Sequence, residues 1–297
     1  MLPTRLRQSF SGADMLQTQI SSQKATLMRT QIGFIGGGNM ASAIISGLLS
    51  QGFGAEQMIV VEPFDEARQK LHSSFGIQAH ASAGPALAQA DMLVWAVKPQ
   101  TFKEAAAAAL PHAGHSLHLS VAAGISSASI SAWLQSDRVV RAMPNTPALI
   151  GKGITGLFAR SAVTSADKAL VDQVVSSTGE MLWLDQEAQL DAVTAISGSG
   201  PAYMFYFMES MTAAGVEMGL TAEQAYRLAV ATFVGAGELA RASSESPEVL
   251  RQRVTSKGGT TYAALTSMEE DQIKPLFIKA MRAAGARAAE LGLEFGR

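Results

Sequence analysis

A glycine-rich segment contains the residues whose types and spacing most directly predict chemistry. The sequence GGGNMA, from Gly36 to Ala41, follows an apolar run and fits the pattern G-x-G-x-x-G/A. In this pattern the first glycine forms a tight turn, the second lets the backbone approach a pyrophosphate, and the small last residue permits close helix–strand packing. The free N–H groups at the start of the following helix point at the phosphates. The sequence therefore predicts a dinucleotide site with these contact residues: Gly36, Gly37, Gly38, Asn39 and Met40.

An acidic residue, Glu62, ends the second apolar run, 24 positions after Gly38. A carboxylate in that place can accept hydrogen bonds from the hydroxyls of the adenosine ribose. It would also repel a 2′-phosphate, which favours NADH over NADPH. No arginine follows it immediately to bind NADPH, and Arg68, six residues on, can be a solvated surface charge. The residues leave both cofactors, NADH and NADPH, open.

Short apolar runs alternate with helical stretches from Gln31 to about Asp185. The predicted strands are Ile32–Gly36, Met58–Glu62, Met92–Val97, Leu117–Val121, Val139–Met143, Ile154–Ala159 and Met181–Leu184, and the predicted helices between them are Met40–Gln51, Asp65–Phe75, Phe102–Leu110 and Ala166–Ser177. This alternation is typical of a mostly parallel sheet with crossover helices. We therefore predict an α/β fold with a doubly wound, Rossmann-type dinucleotide-binding domain over residues 29–186.

The chain after Gln186 has helical periodicity and no further strand signal. The predicted helices are Glu187–Ile196, Ala202–Met218, Ala222–Arg241, Pro247–Val254, Thr261–Glu270 and Gln272–Leu291. Small residues on several faces of the helix Ala222–Arg241 favour burial against another subunit. We expect an all-helical domain over residues 187–297 that forms a dimer and binds substrate. Residues 1–28, rich in Gln, Ser and Thr, are expected to form a disordered extension.

The composition argues against several kinds of protein. With 23 Lys and Arg against 25 Asp and Glu, the chain has no basic run for a nucleic-acid partner. It has no cysteine, which excludes disulfides and Cys-ligated metals and fits a reducing compartment, so we expect a cytoplasmic protein. No apolar stretch approaches the roughly 18 residues of a membrane span. His112, His115 and His118 recur at every third position, but Pro111 and Gly114 interrupt any helix there, and we expect no metal site.

Five sequence blocks resemble the Δ1-pyrroline-5-carboxylate reductase family, between about Met28 and Leu293. They are IGFIGGGNMASAII (Ile32–Ile45), AVKPQ (Ala96–Gln100), RAMPNTPALIGKGITG (Arg141–Gly156), SGSGPAY (Ser197–Tyr203) and PEVLRQRVTSKGGTTYAALTSMEE (Pro247–Glu270). The last block is the most specific, since it is similar to the signature by which the family is usually recognised. The resemblance implies NADPH- or NADH-dependent reduction of the cyclic imine 1-pyrroline-5-carboxylate to L-proline, the last step of proline biosynthesis. It also implies a homodimer or a higher homo-oligomer.

Further cofactor contacts are predicted where other strands end at the same edge of the sheet. On the residues alone, Lys98 can be a surface lysine, and the loops after the next two strands can be ordinary loops, although Asn145 could hydrogen-bond an amide. The resemblance favours cofactor contacts at Ala96, Val97, Lys98, Pro99, Ala122 and Asn145, in addition to Glu62.

A second glycine-rich loop, from Ser256 to Thr261, precedes a predicted helix. Its N–H groups and the positive end of the helix dipole could bind a small anion such as a carboxylate, although such a loop taken alone is more often a plain cap. The resemblance implies that this loop holds the carboxylate of the cyclic imine. The predicted substrate contacts are Ser256, Gly258, Gly259, Thr260 and Thr261.

The predicted catalytic residue is Thr261. The resemblance implies that its hydroxyl hydrogen-bonds the ring nitrogen and supplies or orders a proton there, while a threonine that caps its own helix is the competing interpretation. Two other functions are weighed against this one. A β-hydroxyacid dehydrogenase would need a catalytic Lys, which the segment Pro201–Glu209 lacks. A non-catalytic NAD(P)-sensing protein would be expected to have a damaged substrate loop, and residues 256–261 are intact.

Overall fold

The computed structural model describes residues 30–296, and the predicted extension over residues 1–28 lies outside the described residues. The described residues form one seven-stranded sheet with helices on both faces, followed by a set of helices. The strands are β1 (Ile32–Ile35), β2 (Met58–Val61), β3 (Met92–Trp95), β4 (Leu117–Ser120), β5 (Val139–Met143), β6 (Gly153–Ala159) and β7 (Gly179–Trp183). The sequence predicts each strand to within two residues at either end.

The sheet has the order β2-β1-β3-β4-β5-β6-β7. Its first five strands are parallel, with Ile32 of β1 paired to Met58 on one side and to Met92 on the other. β6 runs antiparallel to β5 and parallel to β7. Because β1 and β3 have helices on both faces, all their residues are buried, which explains why they read as continuous apolar runs. The predicted fold class, a mostly parallel Rossmann-type sheet followed by helices, is confirmed.

Five helices belong to the sheet region: α1 (Asn39–Ser50), α2 (Asp65–Phe75), α3 (Pro99–Ala109), α4 (Ser127–Leu134) and α5 (Ser165–Ser176). The sequence prediction was wrong about α4, which it missed, and it began α3 three residues too late. α3 begins at Pro99 because proline at the first helical position lacks only an N–H that would have no helical partner there. α4 begins after Ser126, whose side chain accepts a hydrogen bond from the Ser129 N–H.

The helical region that follows consists of α6 (Gln189–Val193), α7 (Gly200–Glu217), α8 (Ala222–Ala242), α9 (Pro247–Arg253), α10 (Thr260–Glu270) and α11 (Ile273–Phe295). α7 and α8 pack against each other, and α11 packs against α6. A π-helical turn, Thr194–Gly198, connects α6 to α7 where the sequence predicted one continuous α-helix to Ile196. Among the described residues, no helix is both long and apolar enough to cross a bilayer.

Candidate active site

The carboxyl edge of the parallel sheet brings most of the predicted cofactor residues together. The Gly36 N–H donates to the Val61 carbonyl at 2.8 Å, and the Ala96 N–H donates to the Ile35 carbonyl at 2.8 Å. These bonds continue the parallel ladder beyond the ends of the strands. In an open α/β sheet this edge is where ligands bind.

Gly36 forms the tight turn that closes β1. It has a φ of +94°, a conformation that glycine adopts at little steric penalty. A Cβ at this position would lie 2.6 Å from the Ala96 carbonyl oxygen, so the turn after β1 and the turn after β3 are in direct contact. Gly36 and Ala96 are therefore neighbours across the sheet edge, as their predicted roles require.

The start of α1 has the shape and the free donors that a pyrophosphate needs. Gly38 is the N-cap, and no side chain among the described residues bonds that cap. A Cβ at Gly38 would have no described atom within 4 Å, so the first turn of the helix faces open space. The N–H groups of Asn39 and Met40 have no partner within the helix at that position. The residues present thus fit the diphosphate of a dinucleotide.

Glu62 lies at the end of β2 and points back into the protein. Its Oε2 accepts a hydrogen bond from the Gly37 N–H at 2.8 Å, and its Oε1 accepts one from the Phe64 N–H at 2.9 Å. The residue is only 6% exposed. Glu62 therefore holds the glycine loop, and a hydrogen bond from a ribose hydroxyl to this carboxylate stays a prediction.

The turn after β3 holds Ala96, Val97, Lys98 and Pro99. Lys98 is the N-cap residue of α3 and is exposed, and its carbonyl accepts hydrogen bonds from both the N–H and the hydroxyl of Thr101. Ala96 and Val97 are partly buried beside Gly36. These hydrogen bonds fix the backbone of Lys98 and leave its side chain in solvent at the carboxyl edge of the sheet.

Ala122 is buried in the loop after β4, where the C-terminal helix closes over the sheet region. The Ala122 N–H donates to the Ser120 hydroxyl. Gly124 has a φ of +72°, and a Cβ there would lie 3.1 Å from the Cβ of Leu291 on α11. The Ser129 hydroxyl also donates to the Gly296 carbonyl at 2.7 Å. The loop that carries Ala122 is therefore packed against the end of α11.

The side-chain amide of Asn145, directly after β5, both accepts and donates a hydrogen bond. Its Oδ1 accepts from the Ile154 N–H at 3.0 Å, and its Nδ2 donates to the Ser197 hydroxyl at 3.1 Å. Ser197 lies in the π-helical turn, a kind of local distortion that is frequent at functional sites. The sequence analysis missed Ser197 as a partner of Asn145, and its place in the SGSGPAY block was the one signal that could have found it.

A partly buried ion pair links β5 to the segment before α6. Glu187 Oε1 accepts from Arg141 Nη1 at 2.7 Å and from the Ser127 N–H at 2.6 Å, and Oε2 accepts from the Ser127 hydroxyl. Burial alone would raise the pKa of Glu187, but the hydrogen bonds from Ser127 and Arg141 outweigh it, so this pKa lies below its ordinary value. Burial raises the pKa of the neighbouring Asp191. The Glu187 carboxylate therefore ties the start of α4 and β5 to the helical region.

The predicted substrate loop forms a second uncapped helix start. Gly258 has a φ of +74°, and the Gly259 N–H donates to the Ser256 carbonyl at 3.0 Å. Gly259 is the N-cap of α10, and no side chain of the described residues bonds it. Thr260 is exposed and Thr261 is partly buried. Because Gly259 occupies the N-cap, Thr261 does not cap its own helix.

The substrate loop and the cofactor edge are not joined by hydrogen bonds in this single chain. Within residues 30–296, the hydrogen bonds of the loop are local, such as the one from the Ala263 N–H to the Gly259 carbonyl. Its helix, α10, packs on α11. The structure thus brings the predicted cofactor residues together at one edge and holds the predicted substrate residues together in a separate loop.

Two family models match the chain. Residues 187–291 match the family described as pyrroline-5-carboxylate reductase dimerisation. Residues 31–124 match the family described as NADP oxidoreductase, coenzyme F420-dependent. The second match covers the glycine loop, Glu62 and the turn after β3.

Curated relatives are similar over almost the whole chain. The pyrroline-5-carboxylate reductase of Pseudomonas aeruginosa is 46% identical over 269 residues, which are 90% of this chain and 98% of that protein. The chain belongs to the pyrroline-5-carboxylate reductase family. The resemblance inferred from the five sequence blocks is thereby confirmed. The plant member from Arabidopsis thaliana is 34% identical over 88% of this chain and 95% of that protein.

Solved structures of the family share the fold of the whole chain. The pyrroline-5-carboxylate reductase of Coxiella burnetii has a TM-score of 0.83 at 36% identity and covers 89% of this chain and 98% of its own. The Plasmodium falciparum pyrroline carboxylate reductase, solved with NADP bound, has a TM-score of 0.80 at 28% identity and covers 89% and 99%. Both the sheet region and the helical region are therefore those of this family.

Proposed function

We propose that this protein is a pyrroline-5-carboxylate reductase, which reduces 1-pyrroline-5-carboxylate to L-proline with NADPH or NADH in the last step of proline biosynthesis. The observation that carries this proposal is the 46% identity to a curated reductase over 98% of that protein's length. Both glycine-rich loops lie within this similarity. The protein is thus an oxidoreductase that acts on a C=N bond.

The cofactor is a nicotinamide dinucleotide, which the NADP oxidoreductase family match and the NADP-bound relative support. When bound, it supplies the hydride for the imine carbon. The chain's own contribution is to hold the diphosphate at the start of α1 through Gly36, Gly37, Gly38, Asn39 and Met40. We propose that the nicotinamide end lies against Ala96, Val97, Lys98, Pro99, Ala122 and Asn145, since their strands end at the same edge.

The substrate carboxylate is proposed to bind at the start of α10. Support comes from the uncapped N-terminus of this helix, whose free N–H groups and positive dipole end favour an anion. Ser256, Gly258, Gly259, Thr260 and Thr261 would surround it. The cyclic imine becomes strongly electrophilic once its ring nitrogen accepts a proton, so most of the acceleration can come from orientation.

We propose that the Thr261 hydroxyl hydrogen-bonds the ring nitrogen and delivers or orders the proton that completes the reduction. The capping role that competed with this one is taken by Gly259. The partly buried side chain of Thr261 follows directly after the proposed carboxylate site.

The protein forms a homo-oligomer, a dimer or a larger assembly, as the match to the dimerisation family supports. Residues 29–186 and 187–297 are proposed to be the dinucleotide-binding and the dimerisation and substrate-binding domains. A cytoplasmic location is proposed as well, and cell fractionation against compartment markers would check it.

The test is to mix purified protein with pyrroline-5-carboxylate and follow the absorbance of NADH and NADPH in parallel, with a β-hydroxyacid and NAD⁺ or NADP⁺ as the substrate control. We expect oxidation only with pyrroline-5-carboxylate. Cofactor binding without turnover on either substrate would contradict the proposal and favour a sensor.

The role of Thr261 is tested by Thr261→Ala, which we expect to lower kcat about a hundredfold, as loss of a proton donor does, with little change in the KM for the cofactor. Thr261→Ser keeps the hydroxyl and should recover most of the rate. Thr266→Ala, on the same helix, is the matched control. Wild-type turnover in Thr261→Ala would show that the hydroxyl has no role in the proton transfer.

A further inference from the structure

A positively charged side chain, Arg68, lies at the end of β2. The acidic residue there, Glu62, would by itself predict a preference for NADH over NADPH. In the ordinary arrangement a carboxylate here faces the ribose and repels a 2′-phosphate. In this protein both oxygens of Glu62 already accept backbone N–H groups, from Gly37 and from Phe64, and the residue is 6% exposed. The surface at this point is therefore formed by other groups.

The guanidinium of Arg68, on α2, covers that position. Its Nη1 donates to the Glu62 carbonyl at 2.9 Å and to the Pro63 carbonyl at 2.7 Å. These bonds hold the cation directly beside the place where the fold puts the ribose hydroxyls. The Arg68 side chain is 22% exposed, so it is fixed by the turn and still reaches solvent.

One further contact of Arg68 can be exchanged for a ligand. Its Nη2 bonds Oδ1 of Asp65 at 2.8 Å, and the Asp65 side chain is 75% exposed. An exposed pair of this kind is weak, because water screens it. A phosphate dianion would accept from Nη2 more strongly than this screened carboxylate does, because charge-assisted hydrogen bonds to phosphate are short and strong.

We propose that Arg68 binds the 2′-phosphate of NADPH and makes NADPH the preferred cofactor of this protein. The proposal rests on the proposed function, since it specifies which nicotinamide cofactor that reaction uses. Glu62 contributes by bonding the glycine loop, which turns its charge inward. Asp65 opposes the preference, because it competes with the phosphate for the same guanidinium.

The test measures binding of adenosine fragments, which requires no turnover. Calorimetry gives the affinity of the full chain for 2′,5′-ADP and for 5′-AMP. Because the two fragments differ only by the 2′-phosphate, the ratio of their affinities measures what that group contributes to binding. We expect wild-type protein to bind 2′,5′-ADP about tenfold more tightly or better, as a charge-assisted hydrogen bond to the phosphate allows. In Arg68→Gln this ratio should fall to about one. Lys70→Gln removes an equally charged, exposed residue from the same helix and should keep the wild-type ratio.

Two further variants sharpen the test. Asp65→Asn removes the competing acid and should raise the preference for 2′,5′-ADP by about threefold, in the range of an exposed ion pair. Arg68→Lys keeps the charge without the planar fork and should give an intermediate ratio. The thermal unfolding midpoint of each variant establishes that it is folded.

Equal affinity of wild-type protein for the two fragments, or an unchanged ratio in folded Arg68→Gln, would overturn the proposal. The protein could also bind 2′,5′-ADP more tightly than 5′-AMP through Arg68 and yet never reduce pyrroline-5-carboxylate. That result would support this proposal and reject the proposed function. Kinetics complete the test. The ratio of kcat/KM with NADPH to kcat/KM with NADH should fall about tenfold in Arg68→Gln, because the KM for NADPH rises.

Discussion

The sheet region (residues 30–186) and the helical region (residues 187–296) bury their apolar side chains to very different extents. Phe34 and Trp95 in the sheet region are 0% exposed and belong to two continuous cores, one on each face. In α8 and the turn before it, Met218 is 79% exposed and Leu239 is 69% exposed. Between residues 200 and 296, the described apolar residues that are buried are three alanines: Ala225, Ala229 and Ala288.

The described residues of the sheet region thus have a core of their own, whereas those of the helical region leave large apolar side chains exposed in the single chain. Apolar surface contributes about 25 cal/mol per Å² when it leaves water, so exposed helices of this kind gain stability only against another surface. A second copy of the chain provides that surface. The dinucleotide site therefore depends on contacts within one chain, whereas the helices that carry the substrate loop depend on the oligomer.

The largest expected effect comes from charges on the exposed face of α8. Leu228 and Leu239 are eleven positions apart, which places them on the same face of a helix. Leu228→Glu with Leu239→Glu should weaken association by more than about a hundredfold, since burying two leucines contributes roughly 3 kcal/mol or more. Light scattering after gel filtration should show a smaller mass, and 2′,5′-ADP should still bind.

The control for this double variant is Ala107→Glu, which adds a charge at an exposed position of α3. It should leave the mass at the wild-type value. A double variant that keeps the wild-type mass would contradict the dependence of the helical region on a second copy.

The next effect concerns the contact between two turns at the cofactor edge. Gly36→Ala places a Cβ 2.6 Å from the Ala96 carbonyl oxygen at a φ of +94°. We expect the affinity for NADPH to fall at least about tenfold, because the added methyl group would push the turn after β3 away from the glycine loop.

Gly52→Ala is matched to it, because Gly52 has a φ of +95° but no described atom lies within 4 Å of its Cβ position. It should lower stability by about 1 kcal/mol and leave the affinity for NADPH unchanged. Fluorescence titration checks both variants. Equal losses of affinity would show that strain, and not the contact with Ala96, matters.

A buried histidine should make the stability of the sheet region depend on pH. His118 Nδ1 accepts from the Trp95 indole N–H at 3.2 Å, and burial, followed by the charge of Arg138, lowers the pKa of His118 from 6.5 to about 4. Protonation therefore favours the unfolded chain. The stabilisation is complete above pH 6.5 and decreases as the pH falls towards 4, by about 1.4 kcal/mol per pH unit.

His118→Gln retains an acceptor for Trp95 and cannot be protonated, so it should remove this dependence between pH 6.5 and 5 in urea unfolding. The exposed neighbour His115 offers a control, and His115→Gln should unfold with the wild-type pH profile. A His118→Gln profile as steep as wild type would assign the dependence to other groups.

The smallest effect tests the ion pair between Arg141 and Glu187, one of those that link the two regions. Glu187→Gln should destabilise the protein by about 1 kcal/mol, because the hydrogen bonds from Ser127 and Arg141 lose their charge and the site is half open to solvent. The lowered pKa of Glu187 means that its stabilisation is present above its unfolded pKa near 4.5 and is lost as the pH falls through the folded pKa. Thermal unfolding should therefore separate wild type from variant more at pH 7 than at pH 4.

Glu104→Gln removes an exposed carboxylate from α3 and should change stability little at either pH. If Glu104→Gln and Glu187→Gln unfold alike, the ion pair of Glu187 contributes nothing measurable.

The parts that the sequence predicted well are those whose signal is local. β3 is a continuous buried apolar run, and GGGNMA at the end of β1 fits the G-x-G-x-x-G/A pattern by local spacing alone. α4 was missed because SASISAWL has no charged face that marks a helix period, and its start depends on the Ser126 cap and on Glu187, 60 residues away. The inward turn of Glu62 and the bond from Asn145 to Ser197 likewise depend on tertiary contacts that no spacing in the sequence reveals.

The most direct test of the central claim is to trace the hydride. The protein is incubated with pyrroline-5-carboxylate and NADPH that carries deuterium at the transferable C4 position, and the product is analysed by mass spectrometry. The account predicts proline with one deuterium on the ring carbon that was the imine carbon, in equal amount to the NADPH consumed. Proline without deuterium, or NADPH consumption without proline, would contradict it.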